Sequence, residues 1–162
     1  MSKLNDRKWL GINIYRDRRH EPLVERLTQG EHIIFSHNKD LMVFAGMVGY
    51  SNKKSLPVSN DKIQITLGTY ANTQQDTYIY LLALLEYKNA TCLKDEHLVD
   101  SVKIFEGFCN AGLDIIQGWL DGNPGDPSGI DTLEQKIVEQ ALLNEQKALP
   151  QTTNEGLDVS FR

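Results

Sequence analysis

Residues 95–121, DEHLVDSVKIFEGFCNAGLDIIQGWLD, carry the longest helical pattern in the chain. Leu98, Val102, Phe105, Cys109, Leu113, Ile116 and Leu120 recur at three- and four-residue spacing, which stacks them on one helix face. Val99, Ile104, Phe108, Ile115 and Trp119 widen that face. Gly107 and Gly112 interrupt the pattern, so it predicts either one kinked helix or two shorter ones broken at Asn110-Ala111-Gly112. Asp95, Glu96 and Asp100 suit the start of this helix, where the dipole favours negative charge.

Other helices follow outward from this one. Asn38 or Ser36 can cap a helix through Leu41, Met42, Phe44, Ala45 and Val48, and Gly49 either ends it or permits close packing. Thr73 or Asp76 opens a helix to about Tyr87 that is apolar around most of its circumference, as a central helix would be. Pro22, Leu23, Val24 and Leu27 mark a short helix at 22–29. GNPGDPSG, residues 122–129, breaks the chain before a last helix with Leu133, Ile137, Ala141 and Leu142. Ile63, Ile65 and Leu67 alternate with polar residues, as does Ile12-Asn13-Ile14; a two-stranded ribbon or irregular segments both fit. The sum is an all-α bundle of about five helices with at most a minor two-stranded β element. The domain boundaries read as a basic arm at 1–20, one helical domain at 21–149 and a frayed tail at 150–162.

The 162 residues suffice for one core without staples. Two cysteines, Cys92 and Cys109, give no secreted framework, and no run has the length of a membrane span, so a reducing cytoplasm is the default. The net charge of −5 divides into +3 over residues 1–28, +1 over 29–94 and −9 over 95–162. It therefore excludes a uniformly basic DNA coat and leaves a local patch open.

Lys3, Arg7, Lys8, Arg16, Arg18 and Arg19, extended by Lys53 and Lys54, are the candidate contacts for DNA or an acidic partner. Arginine forks match phosphate, and Trp9 and Tyr15 lie among them for stacking. The alternative is that this basic segment pairs with the acidic tail of its own chain or of a neighbouring subunit. His20, His32, His37 and His97 lack metal-ligand spacing and read as surface or cap-neighbouring residues. No phosphate loop or nucleophile elbow is present, so no catalytic, cofactor or metal residue is nominated.

Phe44-Ala45-x-x-Val48-Gly49-Tyr50, then Tyr80-Leu81-Leu82-Ala83-Leu84, then Phe105-x-x-Phe108-Cys109-Asn110-Ala111-Gly112-Leu113 with Ile116, resembles the DNA phosphorothioation-associated protein 4 family over roughly residues 20–121. Ala111 stands where that family's motif has glycine. The resemblance implies a structural role for Phe44, Gly49, Phe108, Asn110, Gly112 and Leu113: a tight helix-to-helix passage packed on the Phe44 helix. It also implies a non-catalytic accessory of the bacterial system that places sulfur in the DNA backbone. Its partners would be proteins of the modification or restriction machinery, with DNA as an alternative. Three modes stay open: a protein-interaction or regulatory module using the Phe44–Tyr50 helix and the acidic tail, a DNA-contacting factor, and an acidic mimic or inhibitor built on 95–162. The oligomeric state is not fixed by the sequence.

Overall fold

A computed structural model describes residues 8–148. Lys3, Arg7 and the tail at 150–162 lie outside the described residues, as does the side chain of Lys8. The element order is β1 (Asn13–Asp17), α1 (Glu21–Thr28), α2 (Asn38–Ser51), β2 (Lys62–Thr66), α3 (Leu67–Ala71), α4 (Asp76–Tyr87), α5 (Leu98–Asp121) and α6 (Ile130–Ala148). The protein is predominantly helical, and β1 and β2 form the ribbon, antiparallel, with Ile14 opposite Ile65 and Arg16 opposite Ile63. Ile14 and Arg16 point to the core from β1, while the face carrying Ile63 and Ile65 is only half-buried on β2.

Within the pattern at 95–121, a 3-10 turn at Asp95–His97 leads into α5, which runs uninterrupted from Leu98 to Asp121 as one helix, not two. Gly107 and Gly112 do not break it, and each is a contact point, the first against Ser55 and the second against α2. A Cβ on Gly112 would overlap the main-chain oxygen of Ala45, and one on Gly49 would overlap that of Phe108. Residues 45 and 49 of α2 thus meet 112 and 108 of α5, an antiparallel crossing with no side chain between the backbones. The tight helix-to-helix passage expected at Phe108–Leu113 is instead the middle of α5, laid directly on α2. Gly49 likewise does not end α2, which runs on to Ser51. Gly46 adds a third close point, with its Cβ position 3.2 Å from Cys109 Sγ. The Cys109 thiol donates to the Met42 carbonyl at 3.0 Å. Both cysteines are buried and unbridged.

Around that crossing the core closes with Leu41, Leu82, Phe105, Leu113 and Ile116, all fully buried. Tyr70 stacks edge-on to Phe105 with centroids 5.8 Å apart, and Tyr50 to Phe108 at 5.5 Å. Phe44 sits on the outer side of α2, against Phe35 at 5.4 Å. α4 is not central. Ile79, Leu82 and Ala83 are buried, but Tyr78, Leu81 and Leu85 stay about 40% exposed, because α4 meets α5 along one side only. In the breaker loop, the Asp126 carboxylate accepts from the backbone N–H groups of Gly129 and Thr132, at 3.0 and 2.8 Å, and so caps α6. Those bonds, the Thr132 backbone bond foremost, hold its pKa down at about 2. Gly129 occupies the left-handed region at φ 77°, which a side chain disfavours.

Gly118 faces open space on the same helix as Gly112. Gly118→Ala should therefore stabilise the fold by up to ~1 kcal/mol through helix propensity. Gly112→Ala has the same propensity gain but must push α2 away, and should destabilise by about 1–3 kcal/mol net. Urea unfolding of the two variants checks the difference in sign.

Candidate functional site

α5 carries three polar residues four apart, Glu106, Asn110 and Asp114, on the face that also holds Lys103 and Gln117. β1 and the 3-10 turn after it carry Tyr15, Asp17 and Arg19, two apart. Four helical residues rise ~6 Å and two strand residues ~6.6 Å, so the two rows stay in step. They pair rung by rung. The Tyr15 N–H donates to Glu106 Oε1 at 2.7 Å, Asn110 Nδ2 donates to Asp17 Oδ2 at 3.0 Å, and Arg19 grips Asp114 with two bonds of 2.5 and 2.9 Å.

The middle rung is the most enclosed. Asn110 is 1% exposed, and its amide nitrogen also faces the Pro57 carbonyl at 3.3 Å. Its oxygen therefore accepts, and His20 donates to it from Nε2 at 3.1 Å. Asp17 also receives the Ser59 N–H at 2.6 Å and Arg19 Nε at 3.2 Å. Burial would raise the Asp17 pKa, but the bonds from Asn110, Ser59 and Arg19 outweigh it and bring it to about 2. Burial, helped by the Arg19 charge, lowers the His20 pKa and keeps the imidazole neutral. Burial raises the Glu106 pKa against the pull of the Tyr15 N–H.

The nominated cations separate in this framework. Arg16 is 1% exposed and bonds Glu21 at 2.5 Å, which makes it part of the interior. Arg18 stands half-exposed on Asp61 at 2.8 Å. Arg19, Lys53 and Lys54 come together: the lysines line a cleft of about 510 Å³ with Ala111, Ile115 and Asp114, the carboxylate that Arg19 grips. The loop bearing the lysines is fixed by Leu56 N–H to the Gly107 carbonyl at 2.9 Å and by the Ser59–Asp17 bond. Of the basic segment's described arginines, Arg19 pairs with the acidic half of the chain, at Asp114, whereas Arg16 and Arg18 pair with Glu21 and Asp61. Lys62 lies over the Tyr15 ring at 4.0 Å, so that aromatic stacks on a cation of the chain itself.

Of the six motif residues, Gly49 and Gly112 form the crossing, Phe108 and Leu113 pack within it, Phe44 braces Phe35, and Asn110 holds the ladder. Asp17, Glu106 and Asp114 are not among the residues the sequence nominates, while His20, read as surface or cap-neighbouring, stands at the N-cap of α1. The four-residue spacing of Glu106, Asn110 and Asp114 was the available signal, and His20 proves buried rather than superficial.

A second concavity, about 710 Å³, lies where α2, α4 and α6 approach, lined by Tyr50, Phe108, Leu85, Lys53, Lys88 and Asn144. No group of three or more His, Cys, Asp or Glu converges to hold a metal among the described residues. No helix there is long and apolar enough to cross a membrane.

Fold and surface together define a small helical scaffold in which Arg16, Arg18 and Arg19 are held by the chain's own carboxylates and the apolar excess lies on outer helices. The chain belongs to the family of DNA sulphur modification system-associated protein 4, which it matches over residues 13–155. It is thus an accessory protein of the phosphorothioation system. Among curated proteins and among solved structures nothing matches it.

His20 and Asp17 make stability fall on acidification. A histidine with a lowered folded pKa costs stability as pH drops below its ordinary 6.5, since only the unfolded chain then takes the proton freely. The Asp17 contribution is complete above 3.8 and vanishes as pH falls through about 2. His20→Gln, which keeps a donor to Asn110, should flatten the loss that sets in as pH falls through about 6.5 and leave the lower phase intact. Urea midpoints across pH would show this.

Proposed function

We propose that this protein works without catalysis of its own, as an interaction module that docks other proteins of the phosphorothioation machinery. The supporting observation is where its apolar surface lies. Tyr78, Leu81 and Leu85 on α4, and Ile130, Ile137, Val138 and Leu142 on α6, are about 38–54% exposed and fall in rows on two outer helices. Rows of that kind on a folded surface mark contact sites rather than scattered exposure.

The DNA-contacting reading rests on Arg18, Arg19, Lys53 and Lys54, which are exposed and near one another. Against it, both arginines already hold carboxylates and Arg16 is buried. The mimic reading needs a free run of acids over 95–162. Within that run Asp114, Asp126 and Glu139 are engaged by the chain itself, and Glu106 is buried.

Co-expressed with the modification and restriction proteins of its locus, the tagged chain should retain at least one of them through gel filtration. Arg18→Ala/Lys53→Ala/Lys54→Ala should leave that association unchanged. If the parent instead binds duplex DNA with a steep salt dependence, losing a log–log slope of ~0.9 per deleted contact in the triple variant, the DNA reading replaces this one.

A further inference from the structure

α6 is held along one side only. Thr132 and Leu133 are buried, and further along Gln140 accepts from Ser51 at 3.1 Å while Asn144 donates to the same serine at 3.4 Å. At 100° per residue, those contacts occupy one half of the helix circumference. Ile130, Ile137, Val138, Ala141 and Leu142 fall in the other half, and the four larger ones are 48–54% exposed. Nothing within the described residues covers them.

That outer half is not simply apolar. By the same angular count, Asp131, Glu134 and Glu145 lie among those side chains, each exposed. The two lysines of α6, Lys136 and Lys147, fall toward the opposite side, where Lys136 pairs with Glu139 at 2.7 Å. Among the described residues no cation stands within ion-pair distance of Asp131, Glu134 or Glu145. The pattern is a hydrophobic row studded with carboxylates that the chain itself does not neutralise.

Resting on the interaction-module reading above, we infer that the outer face of α6 is a docking surface for a basic amphipathic helix of a partner protein. Leucine-type anchors of such a helix would bury against Ile137, Val138 and Leu142, in the manner of helix-in-groove recognition, while its lysines or arginines met the three carboxylates. Charge decides against two other occupants. A second copy laid antiparallel about Val138 sets Glu145 of each copy beside Asp131 and Glu134 of the other. The chain's own residues 149–162 contain one arginine, no lysine and two acids, so they offer no basic face.

The test uses the full chain and a fluorescent synthetic helix of leucines and lysines, about three heptads long. Leucine–glutamate and sequence-scrambled helices serve as controls. Anisotropy should show binding of the leucine–lysine helix alone. Val138→Ser/Leu142→Ser and Glu134→Lys/Glu145→Lys should each weaken it by about tenfold, with Glu96→Lys/Asp100→Lys as the neutral control. The substituted residues are exposed, so circular dichroism and thermal midpoint should stay at parental values. In the co-expression assay the same two α6 variants should lose the retained partner. Equal probe binding by all variants, with the partner still retained, overturns the α6 assignment and leaves the module reading standing. No partner retained by the parent overturns both. Light scattering that shows a dimer abolished by Val138→Ser/Leu142→Ser assigns the face to a second copy and also overturns the proposal.

Discussion

Gly49 and Gly112 let two backbones touch, and most of the architecture follows from that contact. With no Cβ at either position, the main chain of α2 lies on the main chain of α5. Ordinary helix pairs stand 8–10 Å apart because side chains fill the gap. Removing that layer brings Met42 within reach of the Cys109 thiol and seats Phe105 and Leu82 beside Gly46. It also commits one whole side of α5 to α2. The remaining sides of α5 receive α4 and the N-terminal strand, so the helix ends up as the axle of the fold.

The strand side of that axle is polar by construction. Buried polar groups are tolerated when every one finds a partner. Here the Asn110 amide serves as the hub, meeting Asp17 and His20 through nitrogen and oxygen respectively. The loop over Pro57 and Ser59 closes onto the same hub, which is how Lys53 and Lys54 come to stand beside Arg19. The acidic and basic halves of the chain, so distinct in sequence, are joined at this seam.

The longer helices were legible in the sequence because their apolar residues repeat at three and four; the alternation of Ile63 and Ile65 left the ribbon as one of two readings, and Leu67, read with that alternation, instead opens α3. What periodicity could not show was the use made of each exception. A glycine inside an apolar helix reads equally as a break or as a contact, and only a neighbour such as Ala45 decides it. The apolar residues of 78–85 satisfy the pattern of a central helix, yet Tyr78, Leu81 and Leu85 remain outside because burial depends on how many neighbours a helix has. Arg16 reads as one more surface cation until its place beside Ile14 on the inner face of β1 is known. Glu21, five residues on, partners its Nη2, while Nε and Nη1 are buried without a hydrogen-bond partner among the described residues.

The ladder of Tyr15, Asp17 and Arg19 on Glu106, Asn110 and Asp114 has a consequence for how the chain finds its fold. Suppose the strand slides by two residues toward one end of α5. Asp17 then faces Glu106, carboxylate against carboxylate. Slide it the other way and Asp17 faces Asp114, with the same repulsion. Of the three registers that keep the rows in step, only the native one gives every rung a compatible pair. Three polar residues on a helix therefore act as a key that rejects its nearest misfits, and the N-terminal segment is proofread as it docks.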